Sequence, residues 1–210
     1  MIDRETFHAA LVARHGAGRQ AKFDAARVAV CGLGGLGSNI AIALARAGVG
    51  RLHLVDFDCV EPSNLNRQQY FASQVGLEKS EALKANVAAV NPWCEVVAET
   101  LKVTPGNIPA LFAEDDVVCE AFDRADAKAM LVSGVKEAFP GKPVVAASGM
   151  AGFGSANAIV TRRIAKGLYL CGDGRSDVAD GDGLYGARVL VCAAHQATMV
   201  LRLICGIEEA

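Results

Sequence analysis

Paired cysteines are missing from this chain. Its seven cysteines stand at 31, 59, 94, 119, 171, 192 and 205, an odd number with no C-x-x-C spacing. That pattern argues against a disulfide framework and against a zinc site built from thiolate pairs. It reads as a reducing, cytoplasmic compartment with mostly buried thiols. An excess of one charge is missing too: 21 Lys and Arg stand against 23 Asp and Glu, a formal charge of −2. Without a broad basic field, nucleic acid is disfavoured as the main partner. No apolar run reaches the ~18 residues of a membrane span, so no membrane partner is expected. The opening Met1-Ile2-Asp3-Arg4-Glu5 carries acids and no apolar block, which does not fit a secretory leader. Internal repeats and long linkers are also absent. The 210 residues fit one domain, large enough to fold without a disulfide or metal staple.

What is present alternates. The first 25 or so residues read as a short helical arm, with Phe7, Leu11 and Val12 on its apolar side and Arg14 and His15 near its end. Residues 27–31 read as a buried strand, 38–47 as a helix closed by Gly48, and 51–55 as a second strand. Leu83, Val87 and Val90 recur at helical spacing within 79–90, and Asn91-Pro92 stops that helix. Strands are expected at 95–101, 116–120, 143–147 and 155–162, and a helix at 125–139. A polar, glycine-rich loop follows at 172–183. The last helix carries Leu190, Ala194, Ala197, Leu201 and Ile204 as its expected core stripe. Strands alternating with helices mean an α/β fold with a largely parallel sheet.

Gly32-Leu33-Gly34-Gly35-Leu36-Gly37 fits G-x-G-x-x-G between a strand and a helix. Missing Cβ atoms permit the tight turn and let phosphate oxygens approach the backbone. The helix start then offers free N–H groups and a positive dipole end. Gly32, Gly34, Gly35 and Gly37 are the candidate cofactor-binding glycines. Nineteen residues beyond Gly37 comes Asp56, placed to accept hydrogen bonds from ribose hydroxyls. The expectation is therefore a Rossmann-like, doubly wound sheet with a short C-terminal strand, loop and helix extension. A helical arm over 1–26 would precede a single nucleotide-binding domain over 27–210.

Taken alone, the glycine turn suits NAD. The next segment, DFDCVEPSNLNRQ, does not, because a polar loop of about twenty residues takes the place of the next helix. It presents Asn64 and Arg67 and ends at Lys79, where a helix begins. An Arg fork holds two phosphate oxygens at once and Lys acts as a mobile point charge. A lysine at a helix start opposes the dipole unless an anion lies between them. A solvated surface lysine is the plainer alternative.

With VDFD, SNLNRQ, Lys79 and the acid of Ala121-Phe122-Asp123-Arg124, the chain resembles the ThiF/MoeB family, bacterial relatives of ubiquitin-activating enzymes. The resemblance spans roughly residues 14–205 and is nearest to the short ThiF proteins of thiamine biosynthesis. It implies that ATP and the C-terminal Gly-Gly carboxylate of a ubiquitin-like sulfur carrier (ThiS-like) form a carrier–AMP anhydride and pyrophosphate. It assigns the phosphates to Gly35, the ribose to Asp56, the triphosphate to Asn64, Arg67 and Lys79, and Mg²⁺ to Asp123. An ordinary N-cap of the helix at 125–139 is the alternative for Asp123. A homodimer is implied as well, one protomer's Arg14, or failing that Arg19, reaching the other's ATP.

The chain departs from the family where many members bind zinc. Leu168 and Cys171 stand in place of one cysteine pair and the second pair is absent, so no zinc is expected. Cys171 is also the one candidate for a covalent link to the carrier, against an inert thiol. The loop at 172–183 is either a cover for the carrier's tail or a plain surface loop, and it lacks calcium-loop order. His195 is expected to be a satisfied, partly buried histidine. Three other activities stay open: activation of another carboxylate, on a molybdopterin carrier or a modified tRNA base; an NAD-linked oxidoreductase; and a non-catalytic nucleotide-binding partner.

Overall fold

The computed structural model describes residues 2–210. Seven strands form one sheet: β1 (Arg27–Cys31), β2 (Arg51–Asp56), β3 (Glu95–Thr100), β4 (Val117–Glu120), β5 (Val144–Ala147), β6 (Val160–Ala165) and β7 (Leu168–Gly172). Their order is β3-β2-β1-β4-β5-β7-β6. Every pairing is parallel except β6 with β7. The helices are α1 (Arg4–His15), α2 (Ala17–Ala25), α3 (Gly35–Ala47), α4 (Lys79–Val90), α5 (Ile108–Leu111), α6 (Ala125–Ala138) and α7 (Gly186–Ile204).

The near-continuous apolar run of β1 is what a central parallel strand needs, because both of its faces are covered. Val28 and Val30 join Ile40 and Leu44 of α3, Leu83 and Val87 of α4, and Val189 and Val200 of α7. Ala29 and Cys31 join Ile108 of α5 and Leu131 and Val135 of α6 on the other face. The sheet reverses direction of growth between β1 and β4. Ligands of doubly wound sheets collect beyond the strands' carboxyl ends at that point.

The N-terminal arm is two helices rather than one. Asp3 caps α1 by accepting the Thr6 N–H at 2.7 Å, and Gly16, at φ +82°, ends it. α2 then buries Gln20 and Phe23.

Three further expectations are corrected. Helix α3 starts at Gly35, not at 38, so the glycine turn is itself the first turn of the helix. The strand expected at 155–162 lies at Val160–Ala165, and Leu168–Gly172, to which no strand was assigned, is β7. Gly167, at φ +64°, turns the chain between them, and β7 fills the space beside β5 with Tyr169 and Cys171 fully buried. Of the expected stripe on α7, Ala197 is buried and Leu201 and Ile204 pack against the core, but Ala194 is exposed and Leu190 is 50% exposed; Val189, Cys192, Ala193, Gln196, Met199 and Val200 complete the buried face. Small side chains let α7 lie close to α3, so shape outweighs hydrophobicity in choosing the face. By length and composition α7, with 19 residues and mean hydropathy 1.3, is the one helix among the described residues apolar enough to cross a membrane. Its inner face packs on the core of the sheet.

Candidate functional site

A cavity of about 630 Å³ opens beyond the carboxyl ends of β1, β2 and β4. Its floor is the glycine turn. Gly32, at φ +85°, leaves no room for a side chain: a Cβ there would stand 2.7 Å from the Ala121 carbonyl oxygen. A methyl on Gly37 would overlap the Gly32 carbonyl oxygen. Gly37 therefore packs helix against strand and does not line the cavity, while Gly32, Gly34 and Gly35 do. No side chain caps α3, so its first N–H groups remain available to an anion.

Asp56 closes β2 and is buried. Its Oδ2 accepts the Leu33 N–H at 2.6 Å and its Oδ1 the Asp58 N–H at 2.8 Å. Burial pushes this carboxyl above the usual range, against the pull of those two amides and of Lys79. The same amide bond ties the acid to the glycine turn. Tyr70 adds a second tie, donating its hydroxyl to the Leu33 carbonyl at 2.8 Å.

Lys79 opens α4 and is buried, with its Nζ 3.0 Å from Asp58 Oδ2. It is not a solvated surface lysine. The anion that compensates for its place at the helix start is Asp58. Arg67 lines the cavity with one guanidinium nitrogen held by the Ser63 carbonyl at 3.0 Å and Asn66 Oδ1 at 2.8 Å. Asn64 also lines the cavity, but its Oδ1 accepts the Glu61 N–H at 3.0 Å and so shapes the loop. Asn39 of α3 donates to the Arg67 carbonyl at 3.1 Å and fastens the loop to the helix.

Asp123 faces the same cavity from the turn after β4. Arg124 is the N-cap residue of α6 and no side chain caps it, so Asp123 has no capping role. Among the described residues its carboxylate has no hydrogen-bond or ion-pair partner. Arg14, in the last turn of α1, does not line this cavity, and neither does Arg19.

This arrangement fits the family whose residues the loop suggested. Residues 8–210 match the ThiF family. The chain belongs to the ThiF family. It is 38% identical over 105 residues to the probable adenylyltransferase/sulfurtransferase MoeZ of Mycobacterium tuberculosis, a stretch covering 50% of this chain and 27% of MoeZ. It is 40% identical over 132 residues to the adenylyltransferase and sulfurtransferase uba4 of Aspergillus fumigatus, covering 62% of this chain and 26% of uba4. The matched stretch is thus about a quarter of those relatives' length. The tRNA threonylcarbamoyladenosine dehydratase of Bacillus subtilis is 46% identical over 98 residues, 46% of this chain and 39% of that one. Among solved structures, the Escherichia coli tRNA N6-threonylcarbamoyladenosine dehydratase in complex with ATP superposes with a TM-score of 0.88 at 24% identity. It covers 98% of this chain and 97% of the other, which shows a shared fold.

Away from this cavity, the C-terminal part of the domain decides between the readings of Cys171 and bears out that of His195. Cys171 is fully buried, and burial raises its thiol to about 11 while Thr161 sits 3.5 Å away. That is an inert thiol. His195 is partly buried and shares a hydrogen bond with Thr161 Oγ1 at 3.0 Å, as expected. Among the described residues, no group of three or more His, Cys, Asp or Glu side chains could hold a metal ion.

Arg188 was not singled out in the sequence, since nothing in its spacing marks it. Its buried guanidinium donates to the carbonyls of Ala151, Gly154 and Ser155 and to Asp173 Oδ2 at 2.6 Å. It clasps the chain after β5 to the loop after β7. Burial pushes Asp173 up, but the amides of Ser176 and Arg175 together with Arg188 outweigh it and hold the carboxyl at about 2.

Proposed function

We propose that the protein activates a carboxylate by ATP-dependent adenylylation, and that the acceptor is the C-terminal glycine of a ubiquitin-like sulfur carrier. The observation that carries the first part is the convergence of Asp56, the open start of α3, Arg67, Lys79 and Asp123 on one cavity. In the reaction an acceptor carboxylate oxygen attacks the α-phosphorus of ATP, the bond to the bridging oxygen breaks, and pyrophosphate leaves. The chain's part is to position the reactants and neutralise charge.

Asp56 would accept the ribose hydroxyls, and the backbone at Gly34 and Gly35 would donate toward the phosphates. Arg67 and Lys79 would meet the charge that develops on the leaving pyrophosphate. Lys79 would then exchange Asp58 for a phosphate oxygen, or share both. Mg²⁺ binds through one or two carboxylates together with substrate phosphates. Asp123, with no protein partner, suits that role, and the cation would supply charge neutralisation beside the triphosphate. The resemblance implies a homodimer in which Arg14, or failing that Arg19, enters the partner's site, and neither lines the cavity of its own protomer.

A protein carrier is favoured by the charge at the rim. The loop at 172–183, which leads into cavity-lining Leu184, carries Asp177, Asp180 and Asp182 against Arg175, while Asp173 is already paired with Arg188; this excess of acid disfavours an RNA backbone. Thiamine thiazole as the destination of the sulfur follows from the resemblance to short ThiF proteins. A second reading, activation of a carboxylate on a modified tRNA base, draws on the alignment with the B. subtilis dehydratase.

The test is isotope exchange. The protein is incubated with ATP, Mg²⁺, labelled pyrophosphate and either a purified carrier ending in Gly-Gly or threonylcarbamoylated tRNA. Label should enter ATP only with the carrier. Label entering only with tRNA transfers the case to the second reading. Silence in both arms, together with tight NADH binding, would hand it to an oxidoreductase.

A further inference from the structure

A buried charge at the end of β4 is left unused by the adenylylation reading. Glu120 is the last residue of β4 and is 0% exposed. Its Oε1 accepts the Phe122 N–H at 2.7 Å and Nζ of Lys128 at 3.1 Å. Its Oε2 stands 3.3 Å from the same Nζ and 3.4 Å from the Ala147 N–H. One carboxylate therefore joins the end of β4, the turn that follows it, the end of β5 and α6. From behind, Gln196 of α7 donates to the Glu120 carbonyl at 2.9 Å and to that of Val145 at 3.3 Å.

Stability alone is a poor account of this pair. Replacing a buried ion pair by apolar side chains of similar volume is often neutral or stabilising. What the pair does control is geometry. The amide it holds belongs to Ala121-Phe122-Asp123, and all three residues line the nucleotide cavity. That turn also abuts the glycine turn, because the Ala121 carbonyl is what denies Gly32 a side chain. Burial raises the Glu120 carboxyl, and Lys128 is the first of the groups that oppose the rise. Removing the lysine therefore leaves a buried acid without its cation.

We propose that Glu120 and Lys128 are a positioning pair that sets the Phe122–Asp123 turn, and with it the Asp123 carboxylate, against the triphosphate. The role assigned to Asp123 rests on the adenylylation reading, but the pinning of the turn does not.

Three variants test it: Glu120→Gln, Lys128→Met and Lys128→Arg. Each is studied well below its unfolding temperature, with circular dichroism as the check on folding. In carrier-dependent exchange, Glu120→Gln and Lys128→Met should lower kcat about 10- to 100-fold, the scale of a misplaced reacting group, while KM for ATP stays nearly unchanged. Lys128→Arg should restore most of that loss. Independently of activity, hydrogen exchange should show lost protection in the segment 121–127 of Lys128→Met, with β1 and β3 unchanged. A folded Lys128→Met protein with wild-type kcat and wild-type protection at 121–127 would overturn the proposal. Should Glu120→Gln fail to fold, the two Lys128 variants decide. If the wild-type protein exchanges no label with any acceptor, adenylylation fails, and hydrogen exchange still decides the pin.

Discussion

Two cavities of about 630 Å³ each open at opposite edges of the sheet, and their linings have little in common. The one at the carboxyl edge meets the start of α3, a glycine backbone and the cations Arg67, Lys79, Lys102 and Arg124. The one at the amino edge lies beneath α1. There Phe7 packs on Trp93 with ring centroids 5.0 Å apart, and His8 pairs with Asp24 at 2.7 Å. The contrast follows from the parallel sheet. Helices begin where strands end, so free N–H groups and positive dipole ends gather at the carboxyl edge. The amino edge receives helix ends and short returns, such as Asn91 at the close of α4 and residues 48–50 after α3. Volume does not separate the two cavities, whereas the direction of the backbone does.

The sharpest way to break the contrast is at Arg67. Arg67→Ala should slow adenylation about 10²- to 10³-fold, roughly 3–4 kcal/mol, the scale of one lost fixed donor to a developing anion. A near-normal single-turnover rate would show that Arg67 does not meet the transition state. Mixing Arg67→Ala with Arg14→Ala protomers sharpens the point. If Arg14 acts across a dimer, the mixture regains activity that neither variant has alone. No regain would leave Arg14 without that role.

A smaller effect is expected beneath the same cavity, where the helix packs on the strand. Gly37→Ala forces a methyl into the Gly32 carbonyl, and overpacking of this kind costs about 1–3 kcal/mol in denaturant unfolding. A variant as stable as wild type would mean that strand and helix have slack at the turn.

The smallest effect belongs to the other edge. A double-mutant cycle on Phe7→Ala and Trp93→Ala should give a coupling of about 0.5–1.5 kcal/mol, the usual range for an aromatic pair. ATP affinity, measured by calorimetry, should not move. A loss of ATP binding would mean that the amino edge takes part in function after all.

The carboxyl-edge site was legible in the sequence where chemistry is local. The glycine turn, Asp56, Asn64, Arg67 and Lys79 each sit on a strand end, a loop or a helix start, and the structure brings them to one cavity. The strand at 27–31 and the helix at 79–90 were legible from an apolar run and from a stop at Asn91-Pro92. Other features depend on distant partners and leave no local mark. Glu120 reads as one more acid until Lys128, Phe122 and Ala147 converge on it. Arg188 reads as a polar residue in a helix until its carbonyl partners appear. The face of α7 was legible in part: Ala197, Leu201 and Ile204 do pack inward, whereas Leu190 turns out and Cys192 and Ala193 turn in. β7 escaped because its short apolar run, Leu168 to Cys171, reads as the place of a cysteine pair and not as a strand beside β5.

The clasp at Arg188 bears on how this protein can diverge. Three of its four anchor points are main-chain oxygens, which any amino acid provides, and only Asp173 is tied to a particular side chain. The exposed anchors Gly154 and Ser155 are thus free to vary so long as the chain passes the guanidinium, whereas Gly149, where a Cβ would overlap Asp173 Oδ1, and buried Ala151 are not. Descendants of this gene can alter the outer side of the clasp and leave the cavity beyond β1, β2 and β4 as it is.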